Sequence, residues 1–338
     1  MQTFRTIDAH TAGEPLRLIV DGWPEPEGQT MLARRDFAKR RQDRFRRALM
    51  LEPRGHADMY GALLTPPERE GSDTGILFMH NEGYSTMCGH GIIAVSTILI
   101  ERFERFERFG RFDRFDGLTF DTPAGVVEAR ARVTARKDGS RRVESVSFAN
   151  VPSFVLAAGV PVQARGRNIP VDVAFGGAFY AICDAEAAGL GVTPPSLHEL
   201  KELSVQVRAQ VEKAIKVVHP LEPGLTGIYG TIFTGPAAGA ADLRNVTVFA
   251  DREVDRSPCG TGTCAVMAVL DAMGMLPLDH VFTHESIIGT TFRGRVLSRT
   301  SVGEFPAIIP EIEGSASITG EHTFILGGDD PLSEGFRI

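Results

Sequence analysis

Short runs of β-branched and aromatic residues, bounded by glycine, proline, asparagine and aspartate, recur along the chain and predict strands. They fall at residues 16–20, 75–79, 125–131, 143–148, 171–175, 245–249, 286–288 and 317–319. Helical spacing is rarer. Residues 31–49 predict a basic helix with Phe37, Phe45 and Leu49 on one side. Residues 196–216 set Leu197, Leu200, Leu203, Val207, Val211 and Ile215 at helical spacing, after the start signal Pro194-Pro195. Residues 88–100 and 259–275 are apolar on every side, which predicts two helices wrapped by sheet. Many strands with few helices make α+β the expected class.

One segment fits neither period. Residues 101–116 repeat acid-Arg-Phe every three positions, with one glycine in place of an acid. A three-residue step turns a helix through about 300°, so the phenylalanines would spiral around it, and in a strand they would alternate faces. The segment is expected to be a surface insertion, a continued helix end or a loop, whose phenylalanines are a candidate subunit contact.

Composition narrows the class. The 338 residues correspond to roughly two domains at about 150 residues each. Apolar residues make up 43% and charged residues 23%, an ordinary globular profile that excludes disorder, collagen and coiled coil. The 36 glycines are an excess that calls for many tight turns or close backbone approaches. A net charge of −7 disfavours nucleic acid, because neutralising phosphates needs a basic surface. The start carries Arg5, Asp8, Glu14 and Arg17 and has no apolar signal core, and the chain ends without a lipidation box. The strongest apolar run, 91–100, falls short of the roughly 20 residues of a membrane span. A cytoplasmic protein with no membrane partner is expected. Four cysteines, at 88, 183, 259 and 264, are too few for a disulfide scaffold.

Two of those cysteines open an internal echo. Residues 88–95 read Cys-Gly-His-Gly-Ile-Ile-Ala-Val and residues 259–266 read Cys-Gly-Thr-Gly-Thr-Cys-Ala-Val, 171 residues later. An offset of almost half the chain suggests two related halves. Each copy precedes an apolar helical run, so each Cys-Gly-x-Gly is expected to enter a helix N-terminus. There the first N–H groups lack intrahelical partners and the dipole is positive. A thiol at that point is expected to ionise more readily, and the N–H groups, approachable past glycine, can hold a carboxylate. Such a thiolate is equipped to take the α-proton of an amino acid, and two of them could meet both sides of that carbon.

Other readings of the same residues are open at this point. Both copies match the dinucleotide fingerprint Gly-x-Gly-x-x-Ala, and Asp279 falls near the acidic position. That fingerprint has to follow a strand directly, whereas residues 251–258 are charged and turn-rich. Cys259 and Cys264 lack metal-ligand spacing, and Cys88 with His90 makes only a pair. Free cysteines are often small buried hydrophobes, which fits Cys183 and Cys264 but leaves the repeated Cys-Gly-x-Gly unexplained. His90, beside Cys88, could bond substrate or tune the thiol. Asp255 could reach a ring ammonium or cap the turn. His10, His80, His198, His219, His280, His284 and His322 share no constellation and read as structural or surface residues.

Met87-Cys-Gly-His90 and Asp255-Arg-Ser-Pro-Cys-Gly-Thr-Gly262 resemble the hallmark segments of the proline racemase family, and the resemblance runs from Asp8-Ala-His-Thr-Ala-Gly-Glu-Pro15 to Asp329-Asp-Pro-Leu332. Leu51-Glu-Pro-Arg-Gly-His-Ala-Asp-Met-Tyr60, His80-Asn-Glu-Gly-Tyr84, Phe175-Gly-Gly-Ala-Phe-Tyr180 and Val248-Phe-Ala-Asp251 look like its trans-3-hydroxy-L-proline dehydratase branch. Dehydratases of this type often have threonine at the second catalytic position; this chain has Cys259, as racemases and epimerases do. The resemblance implies a fold like diaminopimelate epimerase, two pseudo-symmetric α/β halves, each a curved sheet around a central helix, with the active site in the cleft. It also implies no cofactor, no metal and a homodimer. Residues 1–122, joined by the C-terminal strands at about 320–338, would carry Cys88, and residues 123–319 would carry Cys259.

Carried over residue by residue, the resemblance makes Cys88 and Cys259 the acid/base thiols. It gives Gly89, His90, Gly260 and Thr261 the substrate carboxylate, and Asp255 the ring nitrogen. The expected reaction is dehydration of trans-3-hydroxy-L-proline to pyrroline-2-carboxylate, with Cys88 removing the α-proton. The alternative is hydroxyproline 2-epimerisation or proline racemisation with both thiols.

Overall fold

The computed structural model describes residues 1–102, 117–278 and 280–337; most of the Arg-Phe repeat, from 103 to 116, and Asp279 lie outside the described residues. In chain order the elements are β1 (Gln2–Thr11), β2 (Glu14–Asp21), α1 (Met31–Phe37), α2 (Asp43–Met50), β3 (Tyr60–Thr65), β4 (Thr74–His80), β5 (Tyr84–Ser85), α3 (Gly89–Glu101), β6 (Gly117–Thr122), β7 (Gly125–Ala135) and β8 (Arg141–Ala149). They continue with β9 (Ser153–Ala164), β10 (Arg167–Phe175), β11 (Phe179–Asp184), α4 (Leu197–Ala214), β12 (Gly230–Gly235), β13 (Leu243–Phe249), β14 (Glu253–Asp255) and α5 (Gly260–Ala272). The chain closes with β15 (Phe282–Ser286), β16 (Thr291–Val302), β17 (Phe305–Gly314) and β18 (Ala316–Leu326).

The chain divides into two compact units, Met1–Phe148 with Gly314–Ile338, and Ala149–Glu313. β18 returns to the first unit and pairs antiparallel with β1 from Gln2↔Leu326 to Thr11↔Ala316. Residues 125–130 pair with β6, which keeps them in that unit too.

Both units are wound in the same order. In the first, β1 is antiparallel to β2, β2 parallel to β3, β3 antiparallel to β4, and β4 antiparallel to β5 and parallel to β6, which turns back into β7. In the second, β10 is antiparallel to β11, β11 parallel to β12, β12 antiparallel to β13, and β13 antiparallel to β14 and parallel to β15, which turns back into β16. β9 lies on β10 as β18 lies on β1. α3 follows β5 and α5 follows β14, so the 171-residue echo falls at the same step of each unit.

The helices are central because they are apolar all round. α3 is buried from Gly89 to Ile100 and meets β1, β2, β3, β7 and β18. α5 is buried from Gly260 to Val269 and meets β9, β10, β11 and β16. A helix with no polar face can bury its surface only if strands surround it. α4 instead buries one stripe, Leu200, Leu203, Val207 and Val211. The predicted basic helix at 31–49 forms as α1 and α2 joined by a π-helical turn, Ala38–Gln42. Two of its arginines are buried rather than solvated: Arg34 donates to Gly28 O, and Arg46 to His80 O at 2.8 Å. No helix among the described residues is long and apolar enough to cross a membrane.

Two expectations need correction. The strand expected at 286–288 ends at Ser286, whose hydroxyl accepts from the amides of Ile288 and Thr290 and turns the chain. The turn-rich stretch 251–258 contains the short strand β14.

Candidate active site

Each sequence copy builds a helix entrance. In the first unit β5 leads to Cys88, which caps α3 in an extended conformation (φ −147°, ψ 113°), its Sγ accepting the Gly91 amide at 3.2 Å. The His90 ring comes within 3.2 Å of that sulfur through Nδ1. Thr11 fixes the His90 backbone by donating to its carbonyl at 2.9 Å. The Tyr60 ring meets the His90 ring edge-on at 4.7 Å and stacks on His80, while its hydroxyl bonds Ser85. Cys88 and His90 are both buried.

In the second unit the entrance is held differently. Cys259 adopts φ +64° and ψ 107°, a left-handed backbone that costs on the order of 1–3 kcal/mol for a residue with a Cβ. The turn before it supplies the compensation. Ser257 donates to Asp255 Oδ1 through its amide at 2.8 Å and its hydroxyl at 2.6 Å, and accepts the Cys259 amide at 3.1 Å. Asn245 Nδ2 and Thr263 Oγ1 both donate to Pro258 O at 3.1 Å. His284 Nδ1 lies 2.9 Å from Thr263 Oγ1. Beside the thiol, Tyr180 Oη lies 2.6 Å from Thr261 Oγ1 and 3.7 Å from Cys259 Sγ.

The repeated glycine has a steric cause. A Cβ on Gly91 would lie 3.0 Å from Cys88 Sγ, and one on Gly262 would lie 2.9 Å from Cys259 Sγ. In Cys-Gly-x-Gly the second glycine is where the thiol of the same entrance rests.

Electrostatics run against the expected ease of ionisation at Cys259. Burial pushes its thiol up, and neighbouring Asp255 adds to this, outweighing the Gly262 amide and the Tyr180 and Thr247 hydroxyls that favour thiolate. Burial likewise pushes the Asp255 carboxyl up to about 6 against the pull of Ser257. Tyr180, fully buried, is pushed well above the ordinary phenol range. His284 is pulled down to about 3 by burial and is a neutral imidazole at ordinary pH. Cys183 and Cys264 are buried, as expected of structural thiols, and burial pushes Cys183 up to about 12.

Thus Cys88, Gly89 and His90 meet at the first entrance, and Asp255, Cys259, Gly260 and Thr261 at the second. Tyr180, Ser257, Asn245, Tyr60, Ser85 and Thr11 were not singled out from sequence. Tyr180 sits in the segment 175–180 that carries the resemblance, but its neighbours read only as an apolar run. Two of the seven histidines read as structural or surface residues support the entrances: His80 stacks on Tyr60, and His284 bonds the residue that holds the Pro258 carbonyl. Among the described residues no group of three or more His, Cys, Asp or Glu side chains gathers as a metal site.

Comparison with known proteins agrees along the whole chain. It is 48% identical over 336 residues to a trans-3-hydroxy-L-proline dehydratase of Bacillus cereus, covering 99% of this chain and 98% of that protein. It is 41% identical over 335 residues to a proline racemase of Acetoanaerobium sticklandii, covering 98% and 97%. A crystal structure of a hydroxyproline epimerase from Agrobacterium vitis, with trans-4-hydroxy-L-proline bound, superposes with a TM-score of 0.90 at 29% identity, covering 100% of this chain and 95% of that one. The fold is therefore the α+β fold of these enzymes. The sequence profile described as proline racemase matches residues 6–337, and the chain belongs to that family.

Proposed function

We propose that the protein dehydrates trans-3-hydroxy-L-proline, using cysteine as base and no cofactor. Cys88, as thiolate, takes the α-proton. The C–H electron pair forms the ring double bond as the 3-hydroxyl leaves with a proton from an acid, giving water. The enamine then tautomerises to the cyclic imine, pyrroline-2-carboxylate. The amides and side chains of Gly89, His90, Gly260 and Thr261 hold the carboxylate, and Asp255 takes the ring ammonium.

The observation that carries the assignment is the difference between the two thiols. Cys88 has a backbone N–H 3.2 Å from its sulfur and, at the same distance, an imidazole nitrogen that suits a thiolate when it carries the proton. Cys259 lies where burial and Asp255 keep the proton on, which suits an acid. Identity to the Bacillus cereus dehydratase supports the substrate.

A second reading, 2-epimerisation of hydroxyproline or racemisation of proline, is favoured by one residue. Cys259 is a thiol that can return a proton to the opposite face, which a dehydratase does not need. Serine variants separate the two readings. Cys88→Ser is expected to cut pyrroline formation by roughly 10²–10⁴-fold. Cys259→Ser keeps an O–H that can protonate the departing hydroxyl, so dehydration is expected to stay within about tenfold of the parent, while 2-epimerisation, which also needs a thiolate on that face, disappears. Equal loss of dehydration in both variants would overturn the assignment.

A further inference from the structure

The two entrances draw their aromatic partners from different strands. In the first unit Tyr60 comes from β3; its counterpart strand in the second unit, β12, begins instead at Gly230, where a Cβ would lie 2.9 Å from Val248 O. The second entrance takes Tyr180 from β11, one strand across. Tyr180 is fully buried, and its oxygen is flanked by Thr261 Oγ1 at 2.6 Å and Cys259 Sγ at 3.7 Å, with Thr261 Oγ1 and Cys259 Sγ 3.9 Å apart. Three groups with one transferable hydrogen each thus form a closed triangle.

We propose that Tyr180 is the positioning residue of the second entrance, switching its hydroxyl hydrogen between Thr261 and Cys259 as Cys259 gains and loses its proton. This rests on the reading of Cys259 as an acid/base thiol. The phenol is the stronger acid of the two hydroxyls, so with Cys259 as thiol it donates along the 2.6 Å contact to Thr261. That frees the Thr261 hydroxyl hydrogen to point at a carboxylate, and the S–H can point at the phenol oxygen. Once Cys259 has given its proton away, the phenol O–H turns to the sulfur and stabilises the thiolate. Hydrogen bonds to a charged group are worth more than neutral ones, so the switch favours the thiolate. The other groups facing the thiol are the Gly262 amide and the Thr247 hydroxyl, which favour thiolate, and Asp255, which opposes it. At the first entrance the sulfur faces the His90 imidazole instead.

The test reads Cys259 itself and needs no substrate. Each protein is treated with iodoacetamide at one alkaline pH, and modification at Cys259 is located by fragmentation of the peptide it shares with Cys264, with the peptide of buried Cys183 as internal reference. Tyr180→Phe keeps the ring and removes the hydroxyl, and is expected to slow Cys259 modification roughly tenfold. Thr261→Val takes away the competing acceptor, leaves the phenol hydrogen to the sulfur, and is expected to speed it. Tyr229→Phe is the control, since Tyr229 meets Tyr180 ring to ring at 5.8 Å, and is expected to match the parent. Opposite signs from the two variants are not produced by loosened structure. Equal Cys259 rates, or slowing in both variants, overturn the proposal. Should Tyr180→Phe fail to fold, the sign of Thr261→Val decides alone. Inactivity on hydroxyproline with these signs intact would overturn the functional reading and not this one.

Discussion

Ser257 gives Asp255 two hydrogen bonds, yet burial outweighs both and leaves the carboxyl titrating at about 6. Two consequences of opposite kind follow. A ring ammonium needs the ionised carboxylate, so kcat/KM is expected to fall as pH drops through about 6, a limb that Asp255→Asn should abolish together with most activity. For stability the sign reverses. The folded state holds the proton more tightly than the unfolded chain, so the contribution of Asp255 is present below pH 3.8 and lost as pH rises through about 6. The ionised site then costs on the order of 3 kcal/mol. In the Asp255→Asn variant the carboxamide oxygen can accept both Ser257 donors without carrying a charge, so Tm at neutral pH is expected to rise while activity is lost. A melting series across pH checks it; a lower Tm at neutral pH contradicts it. His284 works the other way: its contribution is present above pH 6.5 and lost as pH falls through about 3.

The helix entrances were the most legible elements in the sequence, because Cys-Gly-x-Gly occurs twice and both copies precede runs too apolar for anything but an enclosed helix. Their interiors were not legible. The positive φ of Cys259 is held by Ser257 and Thr263 on either side of it together with Asn245 on β13, a combination that no local pattern announces. Tyr180 was hidden because Phe179-Tyr-Ala-Ile-Cys183 reads only as an apolar run, and only the pairing of β11 with β12 brings its hydroxyl to Thr261. The glycines are different: their role is readable as a pattern and explained by sterics. Gly91→Ala would press its methyl against the Phe78 ring and against Cys88 Sγ, 3.0 Å away. It is expected to lower kcat by roughly 10²-fold by misplacing the thiol that acts as base. The overpacking should cost about 1–3 kcal/mol, partly offset by alanine's helix propensity. Steady-state kinetics beside a melting curve separate the two effects; unchanged kcat would mean that the thiol is not held where it must act.

At the scale of the molecule, the echo in eight residues stands for a whole repeated strand order, which the rest of the sequence does not display. The strands β1, β3, β5, β6, β9, β11, β12, β14, β16 and β17 were not predicted, and the reasons differ. β16, with Arg293, Arg295, Ser298 and Arg299 on exposed positions, dilutes its buried Phe292 and Val296 below any alternation a single sequence makes clear. β3 and β11 are buried almost throughout and carry no alternation at all. Two units of one winding order, each with a thiol at the same step, leave the chemistry to the differences between them: His90 against Thr261, Ser85 against Asp255, and relaxed against left-handed cysteine. On the proposed reading those differences make Cys88 the base and Cys259 the acid, and the likeness to the Bacillus cereus dehydratase points that pair to elimination from a 3-hydroxy substrate. The most direct test is incubation with trans-3-hydroxy-L-proline and, separately, with trans-4-hydroxy-L-proline in deuterated water, with products read by NMR. Pyrroline-2-carboxylate from the 3-hydroxy substrate is the predicted result; deuterated, inverted 4-hydroxyproline with no pyrroline from either substrate would contradict it.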